Sequence, residues 1–308
     1  MTLAAATPRR SFDADGLILA LCLAIPLMAL LIFFVYPLAM VALRSVTAPD
    51  GSIGLANYTR ILSTPGFWIA TRNSLVMSIA TTVSALLLGL VVAYAVHRCR
   101  VPGKALLLGA ITLPVLAPSL VQGLGLIFLF GRNGILTKAT GLDIEIYGFW
   151  GLLIANGLYA LPQAVLIIGA ALRATDARIY EAAEVIGAPG WRQFLDITLP
   201  NIKFGLLSAG FIIFTVTITD FGNAATIGGD YTILATEIYN QSVGQMNFNL
   251  GAVVGIMLLL PTVLAFYLER VAAQRQFGAA SEAAIPLRPH FTPKRDLPMT
   301  LAAWAIRF

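Results

Sequence analysis

The side chains able to do covalent or metal chemistry are few and scattered. Cys22 lies in an apolar run and Cys99 lies between two arginines, while His97 and His290 fall in polar segments far apart. A nucleophile needs a base beside it, and a zinc-type site needs several ligands at close spacing. The sequence therefore predicts no catalytic residue, no metal site and no disulfide, and it disfavours a membrane-embedded enzyme.

The chain also lacks the glycine-rich loop that cradles phosphates, which would read GxxxxGK[ST]. Gly103-Lys104 comes nearest, but Ala105 follows and no glycine lies five residues earlier. We expect no nucleotide and no cofactor.

Ion-coupled transporters often carry ionisable side chains inside their spans, and the clearest one here is Asp220. An ion-coupled transporter or channel is the alternative to a transporter that takes its energy from a separate protein subunit.

Composition places the chain in a membrane. Of its 308 residues, 58% are hydrophobic and only 11% are charged, with a mean hydropathy of +0.83. Soluble domains carry about 25% charged residues. A soluble enzyme, a disordered chain and a nucleic-acid-binding protein are all excluded on this ground. The class that fits is all-α and polytopic.

Six apolar runs are long enough to cross, since a spanning helix needs about 20 such residues. They are Gly16–Leu43, Leu75–Val96, Ala105–Phe130, Phe149–Leu172, Phe204–Ile227 and Asn249–Tyr267. Pro114 and Pro118 predict a break or kink in the third run. Asp220 interrupts the fifth run.

The basic residues predict the orientation of these spans. Arg44, Arg60, Arg72, Arg132 and Lys138 are the five on one side, and the other 15 fall in 1–15, 97–104, 173–203 and 268–308. Cytoplasmic segments carry such an excess of Lys and Arg. Attraction to anionic lipid gives the same sidedness. Both termini are therefore predicted to be cytoplasmic.

The cytoplasmic segment 173–203 predicts two short helices joined by a turn. Asp176 is suited to cap the first helix, over 177–186, and Gly187 to end it. The second, Trp191 to Thr198, is expected to stop before Pro200. Three- and four-residue spacing groups Ile179, Ala182, Ala183 and Ile186 on one apolar face, which needs a partner protein or the membrane surface.

This segment resembles the "EAA" loop of the inner-membrane permeases of binding-protein-dependent ABC importers. The loop motif is E-A-A, three residues, G, nine residues, I, one residue, L-P. The matching residues are Glu181, Ala182, Ala183, Gly187, Ile197, Leu199 and Pro200.

The resemblance implies a six-span permease of the type I importer fold in a bacterial inner membrane. It implies an ABC ATPase, a periplasmic solute-binding protein and a second permease half, either a copy or a paralogue. In such permeases the loop docks in a groove of the ATPase. Glu181 would pair with a basic residue there, the alanines would allow close approach and Gly187 would make the bend. The plainer interpretation is an amphipathic helix that only caps the bundle.

Residues at the end of the fifth run and after it narrow the resemblance to particular branches of the family. Asp220-Phe221-Gly222 and the stretch 234–239 look like those of ferric-iron and 2-aminoethylphosphonate permeases, and 244–248 looks closer to the phosphonate branch. The expected solute is 2-aminoethylphosphonate, with ferric iron or a polyamine as alternatives.

Five polar residues in or beside the spans are candidates for the translocation path. They are Asn156, Gln163, Thr217, Asp220 and Asn223. Amides and hydroxyls in spans also bond across helices or back to their own helix. That second role is the alternative for each of them.

The sequence divides into a cytoplasmic N-terminus (1–15), a permease domain (16–277) and a tail (278–308). The tail is polar and proline-containing at first, as in linkers. It turns apolar from Leu297, over a run too short to cross. This run is expected to lie in the membrane interface or to begin a seventh span, in which case the chain corresponds to the first half of a fused twelve-span permease. A single-half permease with a frayed tail is the alternative to the fused protein.

Overall fold

The chain is described by a computed structural model over residues 14–48, 50–141, 145–279 and 293–306. Within these ranges it forms α-helices joined by short turns and no strand, only one isolated bridge between Thr47 and Ile53. The α-helices are α1 (Ala14–Leu30), α2 (Tyr36–Val46), α3 (Ala56–Leu62), α4 (Pro65–Arg98), α5 (Lys104–Thr112), α6 (Ser119–Phe130), α7 (Ile135–Thr140), α8 (Phe149–Arg173), α9 (Ala177–Val185), α10 (Gly190–Arg192), α11 (Leu199–Ile218), α12 (Gly222–Ile227), α13 (Leu234–Tyr239), α14 (Phe248–Ala279) and α15 (Pro293–Ala305).

Six helical segments are long and apolar enough to cross a membrane, which confirms the predicted all-α, six-span class. They are Ile18–Val46, Pro65–Arg98, Ser119–Thr140, Phe149–Arg173, Gly190–Ile218 and Phe248–Gln274.

The third span is broken where its prolines lie. α5 ends at Thr112, a 3₁₀ turn covers Leu113–Leu116, and α6 begins at Ser119, directly after Pro118. Gln122 Nε2 donates to the Pro114 carbonyl at 2.7 Å and so partners one backbone group freed by the break. The prediction of a break is confirmed, and the membrane-crossing part is shorter at its start than Ala105–Phe130.

The fifth span differs from its predicted bounds at both ends. It stops at Ile218, and the Asp220 carboxylate accepts the Asn223 backbone N–H at 3.0 Å, so that α12 starts as a separate short helix. At the other end a π-helical turn, Gln193–Thr198, runs directly into α11. Pro200 occupies the first turn of α11, where a missing N–H costs little. The predicted stop before Pro200 is therefore wrong.

Helices α4, α8 and α11 form the centre of the bundle and are joined by small residues. Gly89 of α4 lies against Ala164 of α8 so closely that a Cβ at position 89 would come within 2.5 Å of the Ala164 Cβ. Both residues lie among buried apolar side chains such as Ile168 and Ile213. Close approach of backbones at small residues is how helices associate in lipid.

We therefore expect Gly89→Ala to destabilise the bundle. Overpacking costs about 1–3 kcal/mol, and each kcal/mol lowers the melting midpoint by about 2–4 °C in a chain of this size. Gly157→Ala in α8 is the control, because nothing lies within 4 Å of a Cβ there. Melting of both purified variants in detergent measures the difference, and equal midpoints would contradict the packing.

The tail beyond the sixth span folds back onto the end of α4. Helix α15 buries Ala303 fully against a cluster that includes Val96 and Val101. The buried Asp296 carboxylate accepts the Arg100 backbone N–H at 3.3 Å and pairs with Arg295 at 3.0 Å. Most of the predicted linker lies outside the described residues. The division into three regions stays a prediction.

Packing of α15 makes Cys99 a chemical reporter. Burial raises the pKa of the Cys99 thiol to about 11, with Arg295 acting against that rise and Asp296 adding to it. The reactive thiolate is therefore scarce at neutral pH. In a Cys22→Ser background we expect deletion of residues 293–308 to speed alkylation of Cys99 by a soluble maleimide by about tenfold or more. An unchanged rate would contradict the packing.

Candidate functional site

The segment between the fourth and fifth spans folds as a capped helix with a tight end. The Asp176 carboxylate accepts the Arg178 backbone N–H at 3.1 Å at the start of α9. At the other end Gly187 adopts φ +73°, and the Ala188 N–H donates to the Ala183 carbonyl at 2.9 Å. A left-handed glycine with this bond is a common helix stop. The predicted cap at Asp176 and the bend at Gly187 are both found.

One side of helix α9 is buried against the bundle, and the other, which we call its free side, is exposed. Ala177, Tyr180 and Ala183 are buried at three-residue spacing. Val185 and Ile186 are 88% and 82% exposed at the tip. The single apolar face predicted from spacing is wrong in this respect, because Ala183 points inward while Ile186 points outward.

The seven matched motif residues are divided between tip and base. Glu181 and Ala182 are exposed on α9, and the exposed Gly187 ends it. Ile197 and Leu199 are half-buried where the π-helical turn meets α11, and Pro200 follows in the first turn. Between them, the buried Thr198 hydroxyl lies 2.9 Å from the Tyr180 hydroxyl, which ties the two ends of the motif together.

The free surface suits protein docking rather than catalysis. Two carboxylates, Glu181 and Glu184, are exposed beside the apolar tip, with Arg178 one turn away. No group of His, Cys, Asp or Glu in the described ranges could hold a metal ion. An exposed apolar pair rimmed by charges is typical of a contact surface for another protein. We call Glu181, Ala182, Val185 and Ile186 the docking tip. Spacing alone missed Val185.

Three of the five candidate path residues lie together near one end of the bundle. The Asn223 amide donates to the Asn156 side-chain oxygen at 2.9 Å, joining α12 to α8, and both residues are buried. Asp220 is half-exposed and caps α12. The bond between the two asparagines is the interhelical role named above as the alternative. Path lining by these residues stays a prediction.

A fourth candidate, Thr217, adjoins this cluster because its carbonyl accepts the Asp220 backbone N–H at 3.2 Å, whereas Gln163 lies apart from it. Gln163 lies about two turns further along α8 and is half-buried, and its Nε2 is 3.5 Å from the Tyr159 carbonyl. Thr217 is 4% exposed in the last turn of α11. The described structure of one chain thus brings together Asn156, Thr217, Asp220 and Asn223 and leaves Gln163 outside their hydrogen bonds.

The six spans define a polytopic membrane protein with an exposed helical loop. Residues 85–278 match the family model described as "Binding-protein-dependent transport system inner membrane component". This match covers more than half of the chain, which therefore belongs to that family. Its members are non-enzymatic, multi-pass proteins of the inner membrane.

The names of the curated relatives give different solutes. The chain is 27% identical over 268 residues to a putative ferric transport system permease, FbpB 1, of Haemophilus influenzae, across 84% of this chain and 42% of that protein. It is 28% identical over 256 residues to the sulfate permease CysW of Synechococcus elongatus, across 80% and 90%. It is 24% identical over 264 residues to the putative 2-aminoethylphosphonate permease PhnU of Salmonella typhi, across 83% and 91%. The chain spans less than half the length of the ferric relatives it matches.

Solved structures share the fold. A chain of a bacterial alginate ABC transporter, solved with an alginate-bound periplasmic protein, superposes with a TM-score of 0.68 at 18% identity, across 88% of this chain and 97% of that chain. A chain of the MetNI methionine ABC transporter gives 0.53 at 17% identity, across 71% and 100%.

Proposed function

We propose that this chain is the membrane-spanning permease subunit of an ATP-driven importer, and that it couples a solute path to a separate ATPase. The observation that carries the proposal is the docking tip, an exposed apolar pair with a carboxylate beside it on a helix whose other side is fixed to the bundle. The sequence offers no phosphate loop of its own. The family match supports the same division between a membrane component that forms the solute path and a separate ATPase.

In this proposal, the fixed ends of α9 allow the helix to couple the ATPase to the spans. A protein that receives the docking tip contacts Glu181, Val185 and Ile186 and moves them as a unit, because the capped and bonded ends of α9 leave it little freedom. Glu181 supplies a charge for a basic partner residue. The orientation proposed from the basic residues, with both termini inside, places α9 in the cytoplasm, where ATP is available.

A second permease half completes the path in this proposal, as a copy of this chain or a paralogue. The exposure of the first span supports a contact with this second half. Phe33 is 80% exposed, and none of the residues in the most apolar part of the span is buried. Lipid covers what the second half does not. A soluble protein outside the membrane delivers the solute, so that the lining need not encode all of the selectivity.

The path itself is proposed to run beside Asp220, Gln163 and Thr217, with Asn156 and Asn223 behind them as the support that holds α12 on α8. Asp220 and Gln163 are both half-buried, and Asp220 is the better placed of the two because it lies beyond the end of the fifth span.

For the solute we propose 2-aminoethylphosphonate, on the resemblance at 244–248 and the similarity to PhnU. Sulfate is the second candidate, favoured by the 28% identity to CysW over 90% of that permease. The similarity to FbpB 1 makes ferric iron the third.

The test is uptake by a strain that lacks this gene, with and without the gene restored. Cells are given labelled 2-aminoethylphosphonate, sulfate, ferric iron or a polyamine, after depletion of ATP by arsenate or collapse of ion gradients by a protonophore. We expect restored uptake of the phosphonate that arsenate stops while the protonophore does not. Uptake that follows the ion gradient and survives ATP depletion would establish the ion-coupled alternative.

A further inference from the structure

Arg98, the last residue of α4, is a buried cation at the base of the loop that carries the docking tip. It is 3% exposed. Its Nη2 donates to the Leu172 carbonyl, in the last turn of α8, at 2.9 Å. Removing a charge from water is costly unless hydrogen bonds or an opposite charge compensate. The single ion pair in the described ranges joins Arg295 to Asp296, so Arg98 is held by other means.

The second contact of Arg98 is the ring of Tyr180 on α9. The guanidinium carbon lies 4.3 Å from the ring centroid, within the range of a cation–π interaction. Tyr180 is 5% exposed, and its hydroxyl bonds with that of Thr198, which has no exposed surface. The contacts therefore form a continuous chain from Arg98 through Tyr180 to Thr198.

This chain of contacts joins α9 to three spans. Arg98 belongs to the second span, Leu172 to the fourth, and Thr198 to the π-helical turn within the fifth. Tyr180 lies one residue before Glu181, on the buried side of the helix that carries the docking tip. These contacts are therefore the ones through which a displacement of α9 would reach the spans.

We propose that Arg98, Tyr180 and Thr198 form a coupling latch, whose role is to fix the orientation of α9 against α4, α8 and α11 so that movement of the docking tip moves these spans together. The proposal rests on the proposed function. Apolar side chains of similar volume pack at least as stably as many buried charges. Directional contacts narrow the angle between α9 and the spans beyond what side-chain packing sets on its own.

The three latch residues are positioning residues, so their test measures coupling rather than yield. The complete transporter, carrying Arg98→Met, Tyr180→Phe or Thr198→Val, is reconstituted in vesicles. The number of ATP molecules hydrolysed per solute imported is then compared with wild type. We expect Arg98→Met to raise this number about tenfold or more while the complex still assembles. Arg98→Lys should restore coupling only in part, because an ammonium lacks the planar fork.

Tyr180→Phe and Thr198→Val each remove one hydroxyl and keep the packing, so they remain informative if Arg98→Met does not fold. Each should raise the number of ATP molecules per solute about threefold, and the double variant should be no worse than Thr198→Val alone. Both substitutions remove the bond between the two hydroxyls, and Thr198→Val also removes the bond to the Gln193 carbonyl. Arg100→Met is the matched control, since Arg100 is exposed two residues further on, and it should couple as wild type does.

Two failures are distinguishable. If wild type couples normally and the hydroxyl variants keep the wild-type ratio, the latch is refuted and the proposed function stands. If the wild-type complex imports without hydrolysing ATP, the proposed function is refuted and the latch with it.

Discussion

Glu181→Lys is expected to abolish ATP-driven uptake while the protein still inserts and folds. Glu181 is exposed on the free side of α9, so its replacement disturbs no packing in the chain. Placing like charges opposite each other at an interface costs several kcal/mol, which corresponds to a loss of ATPase association of about 100-fold or more. Co-purification of the ATPase and uptake of labelled solute measure the two effects.

Asp196→Lys is the matched control for this reversal. Asp196 is also exposed and acidic, but it lies in the π-helical turn rather than on α9. It should retain most of the association. Equal losses in both variants would show that the loop responds to net charge rather than to a contact at Glu181.

Gly187→Val is expected to reduce uptake about tenfold or more by distorting the end of α9. Gly187 has φ +73°, a conformation that costs an L-residue about 1–2 kcal/mol and suits β-branched residues worst. Relief of that strain moves Val185 and Ile186, the exposed apolar pair of the docking tip. Uptake and ATPase binding should fall together, without loss of the bundle's melting midpoint.

Gly190→Val provides the comparison for this substitution. Gly190 lies three residues further along the loop without a positive φ, and, as at Gly187, nothing lies within 4 Å of a Cβ there. A valine at 190 should leave uptake near wild type. If both valines behave alike, the left-handed turn has no special part in docking.

The sequence predicts those features that depend on neighbouring residues. Six spans follow from the lengths of the apolar runs, the break in the third from Pro114 and Pro118, and the ends of α9 from Asp176 and Gly187. Each is a local effect of hydropathy, of a missing N–H or of a backbone angle, and each is found in the structure.

Features that depend on distant residues could not be assigned from the sequence alone. Asn156 bonds with Asn223 across 67 residues, and Arg98 with Leu172 across 74. Nothing in the neighbouring sequence distinguishes a polar residue that bonds across helices from one that lines the path. The fifth span illustrates the same limit, because Asp220 acts as a cap for α12 only once that short helix turns away from α11.

Helix periodicity alone could not assign the faces of α9. Ala182 and Ala183 are adjacent and alike, yet one is exposed and the other buried. The choice is made by Tyr180, which is held between Arg98 and Thr198 and so sets the rotation of the helix. The aromatic ring on the opposite side of the helix from the apolar tip is the one signal in the sequence that could have indicated it.

Solute import by purified protein in sealed vesicles decides between ATP-driven and gradient-driven transport. We expect import only when this chain is assembled with its ATPase, second half and solute-binding protein and when ATP is hydrolysed, with no import by this chain alone under any ion gradient. Import by this chain alone, driven by a gradient and indifferent to ATP, would contradict this expectation.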